Sequence, residues 1–110
     1  MKRAYSFDDV LLKPRYSELT SRSHVDLSSK LSKNITLTLP VISSPMDTVT
    51  EFKMTRALGS HGAMGIIHRY NTIEEQASQV AKARELGTTN IGAAIGMTGD
   101  YLDRAMAVHA

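Results

Sequence analysis

The chain has no cysteine among its 110 residues. That excludes disulfides, thiolate metal ligands and a cysteine nucleophile from this polypeptide, and it fits a reducing cytoplasm. Charge of one sign is not concentrated anywhere: 13 basic and 11 acidic residues are scattered along the length for a net +2. No basic track for a phosphate backbone forms, so nucleic acid is not an expected partner. Long apolar runs are also missing. The basic start Met1-Lys-Arg is followed by FDDVLLK over 7–13, where two acids and a lysine interrupt any signal-peptide core. Nothing approaches the roughly 20 apolar residues of a membrane span, and a cytoplasmic location without a membrane partner is the expectation.

What is present is an ordinary globular composition, 42% hydrophobic, enough for one domain with a modest core. Phe7, Val10, Leu11 and Leu12 surround the Asp8-Asp9 pair and Pro14 closes the segment, a pattern that suits an extended or hairpin-like arm, with the acids in turn or capping duty. A polar connection over 15–22 follows. Alternation around Val25 and Leu27, and again through Ile35, Leu37 and Leu39, predicts two short strands, with the turn at Ser32-Lys33-Asn34 between them.

From Pro40 onward the pattern changes to strand and helix units. Val41 to Ser44 is a β-branched run that Pro45 stops. Thr48 and Glu51 have capping-box spacing, which predicts a helix from about Val49, with Phe52, Ala57 and Leu58 inward and Gly59 as terminator. Gly62 to His68 is a second apolar strand. Thr72 and Glu75 repeat the capping signal before a helix running to about Leu86 and Gly87. Its predicted inner face is Ile73, Ala77, Val80 and Ala81, with the stem of Arg84 along apolar surface and Glu74, Glu75, Gln76, Lys82 and Glu85 solvated. Asn90 to Met97 reads as a third strand, and Thr98-Gly99-Asp100 opens a third helix with Leu102, Ala105, Met106 and Val108 inward. That helix has no terminator, as expected of a truncated longer protein.

Three successive units with short connections predict an α/β fold with a parallel sheet joined by right-handed crossovers. The first turn, SSPMDT over 43–48, lacks the G-x-G-x-x-G of a doubly wound dinucleotide fold. The expected fold is therefore the amino-terminal portion of a (β/α)8 TIM barrel, whose whole needs about 250 residues, preceded by an extended or hairpin arm. The arm spans 1–39 and the β/α units span 40–61, 62–88 and 89–110, as one part of a single catalytic domain without an inserted regulatory domain.

FDDVLLKP over 7–14, Val25-Asp-Leu27, SSPMDTVTE over 43–51 and GAMGIIH over 62–68 resemble, in order and spacing, the amino-terminal part of the inosine 5′-monophosphate dehydrogenase and guanosine 5′-monophosphate reductase family. The resemblance covers essentially the whole chain. Thr50-Glu51 is closer to the dehydrogenase branch, because the reductase usually has glycine where Thr50 stands; the missing regulatory insertion after the second helix is the common state in the reductase.

The resemblance implies a barrel that binds a purine nucleoside monophosphate and NAD at its carboxyl face, oxidising inosine monophosphate to xanthosine monophosphate in guanine nucleotide biosynthesis. The reductase alternative deaminates guanosine monophosphate with NADPH. From another class, a non-catalytic nucleotide-binding or assembly module is the competing reading. Ser44 and Met46 match family positions that contact the nucleotide, as hydroxyl donor and apolar wall, and His68 is placed to face the site. Asp47 is expected to fix the turn. The other histidines, His24, His61 and His109, show no metal spacing. The family's catalytic cysteine, cofactor aspartate, monovalent-cation loop and flap would all lie beyond Ala110. The chain alone is expected to be inactive, and the full-length protein to be a homotetramer.

Overall fold

The computed structural model describes residues 2–110, so Met1 of the expected arm lies outside the described residues. The arm holds two single 3-10 turns, Phe7–Asp9 and Arg22–His24, and then a two-stranded antiparallel hairpin. Strands β1 (Ser29–Lys30) and β2 (Thr36–Leu37) pair with Ser29 opposite Leu37. The first strand therefore sits later than the alternation around Val25 and Leu27 implied. Ser21 accepts from the Ser23 amide and starts the 3-10 turn that ends at Val25, and Asp26 takes the Ser28 amide at 2.9 Å, local bonds that compete with strand pairing. Asp9 does cap, taking the Ser6 amide at 2.9 Å and the Ser6 hydroxyl at 3.1 Å.

The arm stands away from the body. Phe7, Leu11 and Leu12 are each at least 97% exposed. The radius of gyration is 17.7 Å, against roughly 13 Å for a compact chain of this length. The hairpin end is tied down: Leu37 is buried, and the Thr38 and Leu39 amides both donate to the Gly62 carbonyl.

The body is a parallel sheet in sequence order, β3 (Ile42–Ser43), β4 (Met64–Ile67) and β5 (Ile91–Ala93). Ile42 pairs with Met64, and Gly65 with Ile91. Helices α1 (Phe52–Ser60), α2 (Ile73–Glu85) and α3 (Tyr101–His109) follow the strands. This small α/β domain, with each new strand laid beside the last, is compatible with part of a barrel.

α2 begins and ends as its residues predict. Thr72 accepts from the Glu75 amide at 3.1 Å, Glu75 accepts from the Thr72 amide at 2.9 Å, and Gly87 takes φ +80° beyond the last turn. The Thr88 amide reaches the Ala83 carbonyl and the Gly87 amide the Arg84 carbonyl, a Schellman stop.

α1 departs from expectation at both ends. Its first residue is Phe52, because Thr48 lies in a separate turn and Glu51 makes no side-chain cap. The Phe52 amide instead takes its acceptor from α2, Gln79 Oε1 at 3.0 Å. The stop is Gly62, at φ +73°, while Gly59 is inside the helix. Gly62 and Ala63 donate back to Gly59 and Leu58, the same Schellman geometry as α2.

The inner faces are also re-phased. Thr55 is the buried residue of α1 and Ala57 is exposed. Ala81 is exposed and Gln76 is fully buried, so the α2 stripe is Gln76, Val80 and Ala83. In α3, Leu102 and Met106 face outward at 61% and 66% exposure, and the inward stripe is Tyr101, Arg104, Ala105 and Val108. That stripe keeps i, i+3, i+4, i+7 spacing with an arginine in it. Arg84 is exposed, with its guanidinium on the Ala110 carbonyl.

Candidate functional site

The loop from Ser44 to Glu51 leaves the carboxyl end of β3, where ligands are held in parallel α/β folds. Pro45 ends the strand, and a single turn follows in which the Val49 and Thr50 amides both donate to the Met46 carbonyl at 3.0 Å. Ser44 is exposed, Met46 is half exposed, and the Met46 amide donates to the Ser44 carbonyl at 2.8 Å. These two side chains share one short, outward-facing loop. Asp47 is exposed in the same turn.

His68 lies at the carboxyl end of β4 and is buried, 3% exposed. Both ring nitrogens are engaged. Nδ1 accepts from the Tyr70 amide at 3.1 Å, which places the proton of the neutral ring on Nε2, and Nε2 stands 3.3 Å from Glu51 Oε1 as donor. The His68 amide also donates to the Thr50 carbonyl at 3.4 Å. Among the described residues no hydrogen bond joins His68 to Ser44 or Met46; it meets the loop through Thr50 and Glu51.

Two features of this end of the sheet have no obvious sequence signal. Thr50 is fully buried beneath the loop, with its hydroxyl 2.6 Å from the Ser44 carbonyl and 2.8 Å from Ser43 Oγ. Gln76, also fully buried, donates to the Ala94 carbonyl at 2.8 Å and accepts from Arg104 Nη1 at 3.1 Å. Arg104 is 8% exposed, and it further reaches the Asn71 carbonyl at 3.1 Å and Asp100 Oδ2 at 3.3 Å. This network joins the ends of β4 and β5 to the starts of α2 and α3, and so holds the neighbouring loops in register.

A cleft of about 620 Å³ lies elsewhere. It is lined by Val80, Arg84, Thr88, Ile91 and Val108 among others, between α2, β5 and α3, and none of Ser44, Met46 or His68 reaches it. It is a gap in helix-to-sheet packing. A shallower cleft of about 450 Å³ runs along the outer side of the loop past Asp47, Glu51 and Lys53. Among the described residues no three His, Asp or Glu side chains come together as a metal site, and no helix is long and apolar enough to cross a membrane.

Residues 4–110 match the family model described as IMP dehydrogenase / GMP reductase domain. Among curated proteins, the chain is 52% identical to an inosine-5′-monophosphate dehydrogenase of Nitrosopumilus maritimus over 82% of its own length and 19% of that protein's. It is 41% identical to the protein of that name from Rhodopirellula baltica, over 91% of this chain and 20% of the relative. For the Bacillus subtilis protein of the same name the figures are 51%, 76% and 17%. The chain thus spans about a fifth of the length of these relatives. With the family model covering nearly every residue, the chain belongs to the IMP dehydrogenase / GMP reductase family.

Proposed function

We propose that the chain forms the first β/α units of a (β/α)8 barrel in an IMP dehydrogenase, which oxidises inosine 5′-monophosphate to xanthosine 5′-monophosphate with NAD. The observation that carries this is the SSPMDTVTE loop standing outside the carboxyl end of β3, in a chain whose relatives bear the dehydrogenase name. In this reading the Ser44 hydroxyl hydrogen-bonds the sugar or phosphate and Met46 forms an adaptable apolar wall for the nucleotide. His68, at the end of β4, backs the loop from beneath through Glu51 and Thr50.

The chain's part in the chemistry is binding and orientation. The family resemblance implies that a cysteine thiolate attacks C2 of the base, and this polypeptide has no cysteine, so none of its residues is assigned that step. NAD, when bound, accepts hydride. Gly92 is read as a packing glycine and not as part of a cradle for it: a Cβ there would meet the Ile66 side chain at 3.0 Å and Met64 at 3.2 Å. No cofactor contact is therefore assigned to this chain, nor is the monovalent cation. Homotetramer assembly and a cytoplasmic location are proposed for the longer protein.

GMP reductase is the second reading, favoured by one observation: α2 ends at Glu85 and β5 starts at Ile91, with no inserted domain between them. The test is activity of the full reading frame that carries this segment. NADH formation from inosine monophosphate is expected. NADPH oxidation with guanosine monophosphate instead would overturn the dehydrogenase assignment, and nucleotide binding without either turnover would favour a non-catalytic module.

A further inference from the structure

Thr50 is the enclosed end of a loop whose other residues, Ser44 to Val49, are exposed. Every polar group it has is used. Its hydroxyl is aimed as donor at two acceptors that share its single proton, the Ser44 carbonyl at 2.6 Å and Ser43 Oγ at 2.8 Å. Its amide donates to the Met46 carbonyl and its carbonyl accepts from His68 on β4. The Ser44 carbonyl accepts twice, from the Thr50 hydroxyl and from the Met46 amide, which fills both lone pairs and fixes the peptide plane beside the Ser44 side chain. The Ser44 hydroxyl itself has no partner among the described hydrogen bonds and is left free for a ligand.

The remaining bonds from Ser44 to Val49 run within the loop, Met46 to Ser44 and Val49 to Met46. Thr50 is thus its tether to the sheet, joined to β3 through Ser43 and to β4 through His68. We propose that Thr50 is a positioning residue that fixes the nucleotide-binding conformation of Ser44 and Met46. This rests on the reading of those two residues as nucleotide contacts.

The test compares Thr50→Val, which keeps the side-chain shape without the hydroxyl, with Thr50→Ser, which keeps the hydroxyl. Inosine monophosphate is titrated into the full reading frame carrying each form, well below its melting temperature, and amide exchange of residues 46–50 is followed without ligand. T50V is expected to speed exchange of the Thr50 amide and to weaken binding about tenfold, the upper end for one hydrogen bond, while T50S stays within about twofold of wild type. Because Thr50 acts through Ser44, T50V is expected to add little to Ser44→Ala.

A T50V chain that melts earlier but binds with wild-type affinity has lost only stability, and overturns the proposal. Unchanged exchange and loop chemical shifts in T50V overturn it whatever the nucleotide does. If the wild-type full reading frame shows no binding while T50V still frees the loop, the tether holds and the assignment of Ser44 and Met46 to the nucleotide fails.

Discussion

Replacing Gln76 by leucine removes two polar atoms from a fully enclosed position while keeping the side chain's size. The Ile67 carbonyl, 3.4 Å from the amide, is unaffected because it already accepts the Ala94 amide at 2.9 Å. The Ala94 carbonyl loses its 2.8 Å donor, which costs about 1–3 kcal/mol for a buried unsatisfied acceptor. Arg104 Nη1 loses its shortest partner, at 3.1 Å, and keeps Asn71 Oδ1 at 3.4 Å and the Thr72 carbonyl at 3.5 Å. A hydrogen bond to a charged group is worth about 1.5–3 kcal/mol. Burying leucine returns about 1.5–3 kcal/mol. The balance is a loss of about 2 kcal/mol, read by urea unfolding and by exchange of the Ala94 amide, which should lose roughly thirtyfold in protection. Gln76→Glu should not do better: it adds a charge opposite Arg104 but sets a carboxylate oxygen against the Ala94 carbonyl. A leucine variant within about 0.5 kcal/mol of wild type would refute the view that this network ties the loop ends together.

Gly65→Ala places a Cβ 2.5 Å from Thr55 Cα, so α1 must lift from β4; a loss of about 1–3 kcal/mol is expected, and Thr55→Ala should restore little of it because the clash includes backbone. Full rescue by that second change would refute the explanation. Nitrogen NMR of His68 should find the proton on Nε2; a proton on Nδ1 would contradict its bond from the Tyr70 amide. The Asp9 carboxyl is held below the ordinary value of 3.8, chiefly by the Ser6 amide and then by the Ser6 hydroxyl. A depressed carboxyl stabilises its turn above the unfolded value and loses that contribution as pH falls through the folded one, so the Ser6–Asp9 turn should open at acid pH below 3.8. Titration of Asp9 at or above the ordinary value would refute this.

The two capping signals of the body show what was legible in the sequence and why. Thr72 with Glu75 and Thr48 with Glu51 are spelled alike, and only the first caps a helix. At Thr72 both partners are three residues apart and no tertiary group competes, so local chemistry decides. In the other loop the Glu51 carboxylate is drawn to His68, seventeen residues on, and Thr50, two positions after Thr48, is fastened to Ser44. The first amide of the helix, that of Phe52, instead donates to Gln79 Oε1 of α2, twenty-seven residues away. The strand and helix order, the Gly87 stop and the exposed placement of Ser44 and Met46 follow from short-range patterns. Gln76 and Arg104 were not legible, because each is stable in the interior only through the other and through carbonyls of a different unit, and a polar residue on a helix reads as solvated until those partners are known. The same reason governs α3, where an apolar count points Leu102 and Met106 inward while the buried stripe turns on Arg104. Thus the feature that makes the first loop unusual as a helix start, its long-range bonds to β4 and α2, also anchors the far end of the loop that carries Ser44 and Met46.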